Sequence, residues 1–187
     1  MTTATDVVNQ ALVLMGHDAA PVSGVAPTFD SSPAGKAAAR LYAATVRTVA
    51  RQKAWDFGRK TAALALSGNG AVAPFAFEYV YPSDAIQVWQ LMPPQADPFN
   101  PVPVNYQEAV ASVGGVPAKV LRTNLAGAVA LYGFVPPEGA WDSLFQEAVV
   151  SLLASNFSMA LAGKPDAMTA LHERGAAFEQ IGEGRAD

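Results

Sequence analysis

His17 and His172 are the only histidines in the chain, and there is no cysteine. That excludes thiolate zinc, iron–sulfur ligation, a disulfide scaffold and a cysteine nucleophile, and leaves almost no material for a histidine-based metal site. Neither histidine stands beside a nucleophile motif, and no Gly-x-Ser-x-Gly elbow occurs. His172, within Ala170-Leu171-His172-Glu173-Arg174, reads as a solvated side chain on a helix surface. Glu78, Asp84, Glu108 and Asp142 are the carboxylates from which a glycosidase pair would be drawn. Scattered carboxylates are equally what any acidic chain shows. Ser67-Gly68-Asn69-Gly70 and Gly114-Gly115 lack the Lys-Ser or Lys-Thr that a phosphate-binding loop needs, and read as turns. No catalytic constellation, metal or cofactor is expected.

Charge is more informative. Twelve Lys and Arg against sixteen Asp and Glu give a net charge of −4, so there is no global basic footprint for nucleic acid. Yet seven of the twelve bases fall between Lys36 and Lys60: Lys36, Arg40, Arg47, Arg51, Lys53, Arg59 and Lys60, opposed there only by Asp56. Lys36, Arg40, Arg47 and Arg51 step by 4, 7 and 4, which aligns them along one face of a helix. Three readings follow: a solvated face, an interface with an acidic protein partner, or a contact with DNA.

The elements that must carry these residues fall into three zones. Of the 187 residues, 51% are hydrophobic, enough for a real core, and the length favours one domain spanning 1–187. Ten of the fourteen prolines lie between Pro74 and Pro137, while the flanks are alanine-rich and helically periodic. Helices are expected over 5–15, capped by Thr3 or Thr5, and over 33–54, opened by Ser31-Ser32-Pro33. Two more are expected over 143–162 and 165–182, joined by a sharp turn at Gly163 and Pro165. Ser143 with Gln146, or Asp142 in rivalry, would cap the third, and Trp141 would staple back onto it. The stretch from Ala148 to Gly163 carries no charge, as in a helix buried on every side. It is too short and polar for a membrane span, and no targeting signal is expected. Between them, a β-rich, proline-rich insertion over about 72–137 would hold strands near 75–81, 86–91, 102–106, 118–123 and 128–135. The prolines from Pro93 to Pro103 mark a projecting contact loop, with Pro94, Asp97 and Phe99 as candidate partner residues.

Several segments in this order resemble a known family. Ala11-Leu12, Leu14 and Gly16 come first, then a capped helix running into Trp55-Asp56-Phe57-Gly58-Arg59, then Tyr79-Val80-Tyr81-Pro82-Ser83-Asp84. Leu131-Tyr132-Gly133-Phe134-Val135 and Trp141-Asp142-Ser143-Leu144-Phe145 follow, with Ala148 and Leu152-Leu153-Ala154. The pattern is similar to the head-to-tail adaptors of tailed bacteriophages, also called tail tubular protein A or head-completion proteins. The likeness spans nearly the whole chain, and its motifs are structural rather than catalytic: Trp55, Phe57, Tyr79, Tyr81, Pro82, Asp84, Trp141 and Phe145.

The resemblance implies an α+β, mainly α fold: a bundle of about four helices with an inserted β-rich, proline-rich element. It implies a non-enzymatic connector of the phage neck, assembled in the host cytoplasm as a ring, typically twelve-fold, beneath the portal protein. The ring would extend the DNA channel, with DNA only passing through, and offer a platform to a downstream tail protein. No membrane takes part. Some members reach the portal through a long C-terminal arm. Here only Glu183 to Asp187 follow the fourth expected helix, so docking would fall to the basic face of the second helix, the N-terminus or the bundle surface. The alternatives are an envelope-degrading glycosidase of the virion and a small nucleic-acid-binding module using the basic stripe.

Overall fold

The computed structural model describes residues 2–16, 20–95, 102 and 104–162. The chain forms two compact units, one of Met1–Lys53 with Val135–Asp187 and one of Ala54–Phe134.

The first unit holds α1 (Ala4–Leu14), a short hairpin of β1 (Gly24–Val25) and β2 (Thr28–Phe29), α2 (Pro33–Gln52) and α3 (Ser143–Phe157), which continues into a π-helical turn, Ser158–Ala162. A capping box starts α1: Thr3 Oγ accepts from the Asp6 N–H at 3.2 Å and the Asp6 carboxylate accepts from the Thr3 N–H at 2.8 Å. Ser32 Oγ caps α2 through the Gly35 N–H at 3.0 Å, with Pro33 in the first turn where its missing N–H costs nothing. Asp30 ties the hairpin to this cap by accepting from the Ser32 hydroxyl and from the Ser23 and Ser32 N–H groups. The Ser32 hydroxyl bond first, then the two backbone bonds, hold its pKa down to about 2. Gly35 is required beneath it, because any Cβ there would collide with the Asp30 backbone oxygen.

Both α1 and α2 pack on α3. Phe145, Ala148, Val149, Ser151, Leu153, Ala154, Ser155 and Phe157 are all buried. At 100° per residue these positions surround the helix axis, the physical reason for the absence of charge. Ser143–Leu161 is long and apolar enough for a membrane span by length and composition, with half of that window buried within the protein. Asp142 caps α3, accepting from the Leu144 N–H at 2.8 Å, and Trp141 packs edge-on against Phe145 at 4.9 Å between ring centroids.

The second unit is built from β3 (Arg59–Ala63), β4 (Phe77–Val80), β5 (Gln87–Met92), β6 (Tyr106–Val113), β7 (Val116–Thr123) and β8 (Val129–Gly133). They form two antiparallel sheets, ordered β3-β8-β5 and β4-β7-β6. Single bridges join the sheets at both edges: Leu66, just past β3, pairs with Tyr79 of β4, and Leu91 of β5 pairs with Val104, just before β6. The six strands therefore close on themselves as a small barrel, which removes the free edges of two short sheets. Tyr79, Val88, Leu91, Leu121, Ala128, Ala130 and Tyr132 fill it. Gly114 (φ 59°) and Gly115 (φ 86°) make the two-residue turn between β6 and β7, where positive φ at both positions matches the strand twist.

This architecture corrects the expected fold class. The described residues form three α-helices and eight strands in three antiparallel sheets, 37% helix and 29% strand, not a mainly α bundle of about four helices with an inserted β element. The fourth expected helix, 165–182, lies outside the described residues. Strand content was underestimated for two reasons. Arg59–Ala63 lacks apolar alternation, since its side chains are largely exposed and its pairing partner β8 is distant in sequence. The hairpin of β1 and β2 has strands of two residues each, too short to leave a period.

Candidate partner interface

The four bases of the stripe stand on α2. Lys36, Arg40, Arg47 and Arg51 are exposed and fall within an arc of about 60° of its circumference. The buried residues Ala38, Tyr42, Thr45, Val46 and Val49 occupy the opposite side. None of the four forms an ion pair among the described residues, where the pairs are Arg59–Asp56, Lys60–Asp84, Lys119–Glu108 and Arg122–Glu78. The stripe runs for about 22 Å at 1.5 Å per residue. Near its first turns, Pro33, Lys36, Ala37, Arg40 and Leu41 of α2 and Ala160 and Leu161 of the π-helical turn line a groove of about 320 Å³.

The other candidate interface residues divide. Pro94 is exposed and lies beside the Gly127 turn. Asp97 and Phe99 lie outside the described residues, as do His17 and His172. The ends of the loop are anchored by β5 and by the Leu91–Val104 bridge, and Val102 is 70% exposed.

The motif residues of the second unit serve its strands and turns at separate places. Trp55 is buried and stands 6.0 Å from Phe57 between ring centroids. Gly58 follows, where a Cβ would sit 2.9 Å from the Phe134 carbonyl oxygen, and its own carbonyl accepts from the Phe134 N–H at 2.9 Å. Tyr79 donates its hydroxyl to the Leu125 carbonyl at 2.9 Å. Beside the β-bulge of β5, the Tyr81 hydroxyl accepts from the Val88 N–H at 3.0 Å while Tyr106 donates to the Val88 carbonyl at 2.9 Å. Two tyrosines thus satisfy backbone groups that the irregular ladder leaves over. Pro82 turns the chain, its carbonyl accepting from the Ala85 N–H. Asp84 accepts from Lys60 Nζ at 2.6 Å and from the Tyr132 hydroxyl at 3.0 Å. The Lys60 hydrogen bond, ahead of the others, holds the Asp84 carboxyl below its ordinary value. Gly133 leaves room for the Trp89 ring, which a Cβ would meet at 2.8 Å.

The candidate glycosidase carboxylates all have structural partners. Glu78 is buried and accepts from Arg122 Nε, Ser67 Oγ and Asn69 Nδ2, each at 2.8 Å. Burial works to raise its pKa; the bonds from Asn69, Arg122 and Ser67 outweigh this and leave it lowered. Asp84 is held as above, Glu108 faces Lys119 at 3.4 Å, and Asp142 caps α3 in the other unit. Among the described residues no three acidic or histidine side chains gather as a metal site. In the sequence Glu78 stands only as one of several scattered carboxylates, with nothing that marks its cluster. The available signal, of burial alone, was an acid centred between Phe77 and Tyr79 in an apolar strand.

No protein-family model matches the sequence, and no curated protein matches it significantly.

Proposed function

We propose that this chain is a structural head-to-tail connector of a tailed phage. It would form a ring beneath the portal protein, extend the DNA channel and seat a downstream tail protein. The observation that carries the reading is the α2 stripe: four exposed cations in one line, without ion-pair partners among the described residues, on an otherwise acidic chain. Such a line is a surface for an acidic protein partner. The order of the motif segments supports the same reading. So does their use, since their tryptophans, tyrosines, glycines and carboxylates serve packing, caps and turns. Work of this kind is contact between copies and partners, without turnover, in the virion neck after assembly in the host cytoplasm.

Negative-stain imaging of the protein mixed with its purified portal ring tests this. Added density in a ring on one portal face is the expected result. Portal rings that stay bare at saturating protein reject the reading.

A further inference from the structure

We infer that the stripe and the groove near its first turns form one composite site for an acidic amphipathic helix of a partner protein, an inference that rests on the connector reading and specifies its contact. The groove supplies an apolar seat from Pro33, Ala37, Leu41 and Leu161, with Lys36 and Arg40 also in its lining. Arg47 and Arg51 continue the charge line away from it. The steps of 4, 7 and 4 residues correspond to rises of about 6, 10 and 6 Å along α2. A helix lying alongside, with carboxylates at the same steps, meets each cation in turn. An apolar residue preceding the first carboxylate enters the groove. Charge complementarity selects the sign of the partner, and the apolar seat selects its class. A phosphate backbone has no apolar side chain to place there, whereas an amphipathic helix does.

The test uses the full chain and a labelled synthetic helical peptide with one leucine followed by glutamates at steps of four and seven. The same peptide with glutamine in place of glutamate, and a DNA duplex, are the controls. Anisotropy titrations should show binding of the glutamate peptide that weakens as salt is raised, and at least about tenfold weaker binding of either control. Arg47→Glu with Arg51→Glu should weaken it at least about tenfold and flatten the salt dependence. Ala37→Trp, filling the groove, should weaken it with the salt dependence kept. Circular dichroism checks that each variant is folded; should Ala37→Trp unfold, Leu41→Gln takes its place as the groove variant. A full chain that ignores the peptide, binds DNA more tightly, or binds the peptide equally well in all variants overturns the composite site. Rings that still form on the portal in that case leave the connector reading standing, and bare portals reject that reading separately.

Discussion

Glu78 and Arg122 face each other across β4 and β7, and their exposures are unequal: 1% for the Glu78 side chain and 21% for Arg122. Removing Arg122 leaves a buried carboxylate with only Ser67 and Asn69, whereas neutralising Glu78 leaves a cation that reaches water. Arg122→Met should therefore destabilise by about 3–5 kcal/mol, and Glu78→Gln by about 1–2 kcal/mol, measured by urea unfolding. Equal costs would contradict the asymmetry. The sign with pH follows from the lowered Glu78 pKa. Its contribution is full above the ordinary value of 4.5 and is lost as pH falls through the lower folded value. Wild type should lose more stability between neutral pH and about pH 3 than Glu78→Gln does; parallel losses would reject this role. Trp55 is 6% exposed, and Trp55→Ala should cost about 3–5 kcal/mol. A variant with unchanged melting temperature would make it a surface residue instead. Trp55 was legible as an anchor because a large aromatic follows the amphipathic helix at a chain reversal. Glu78 was not, because its partners Ser67 and Arg122 stand 11 and 44 residues away.

At the scale of elements, α2 was the most legible. Its cap at Ser32, its buried positions Ala38, Tyr42, Thr45, Val46 and Val49, and its basic face all follow from local spacing. The barrel was not legible, because its closure depends on two single bridges, Leu66–Tyr79 and Leu91–Val104, which leave no periodic trace. The composition around β3 and the hairpin at 24–29 also gave no alternation to read. Charge reversal on α2, Arg47→Glu with Arg51→Glu, removes no buried contact. It should leave the melting temperature within about 1 kcal/mol equivalent of wild type while weakening portal binding, as read by co-sedimentation. Undiminished portal binding would place the contact elsewhere. Shortening the 93–103 loop while keeping Leu91 and Val104 paired should preserve the fold and impair assembly with a neighbouring copy or tail protein. Loss of folding would make that loop part of the core.

For the whole molecule, a net charge of −4 sets each copy against the next, while the one strongly basic segment lies between Lys36 and Lys60. Copies that repel weakly and carry a cationic stripe for a third party assemble best on a template, where a second interface and raised local concentration act together. A connector that closed into rings alone would occupy tail proteins away from filled capsids. The compact unit of Ala54–Phe134 holds eight of the fourteen prolines, and the alanine-rich helices lie in the other unit, so the uneven punctuation of the sequence follows the division of the chain. Templated assembly of the proposed connector can be followed by light scattering coupled to size-exclusion chromatography. Alone at micromolar concentration, the protein should elute near 19.4 kDa; mixed with purified portal rings, it should shift into the portal peak with a mass gain of many copies per ring. A portal peak of unchanged mass, with the protein still eluting by itself, would rule out a portal-templated connector.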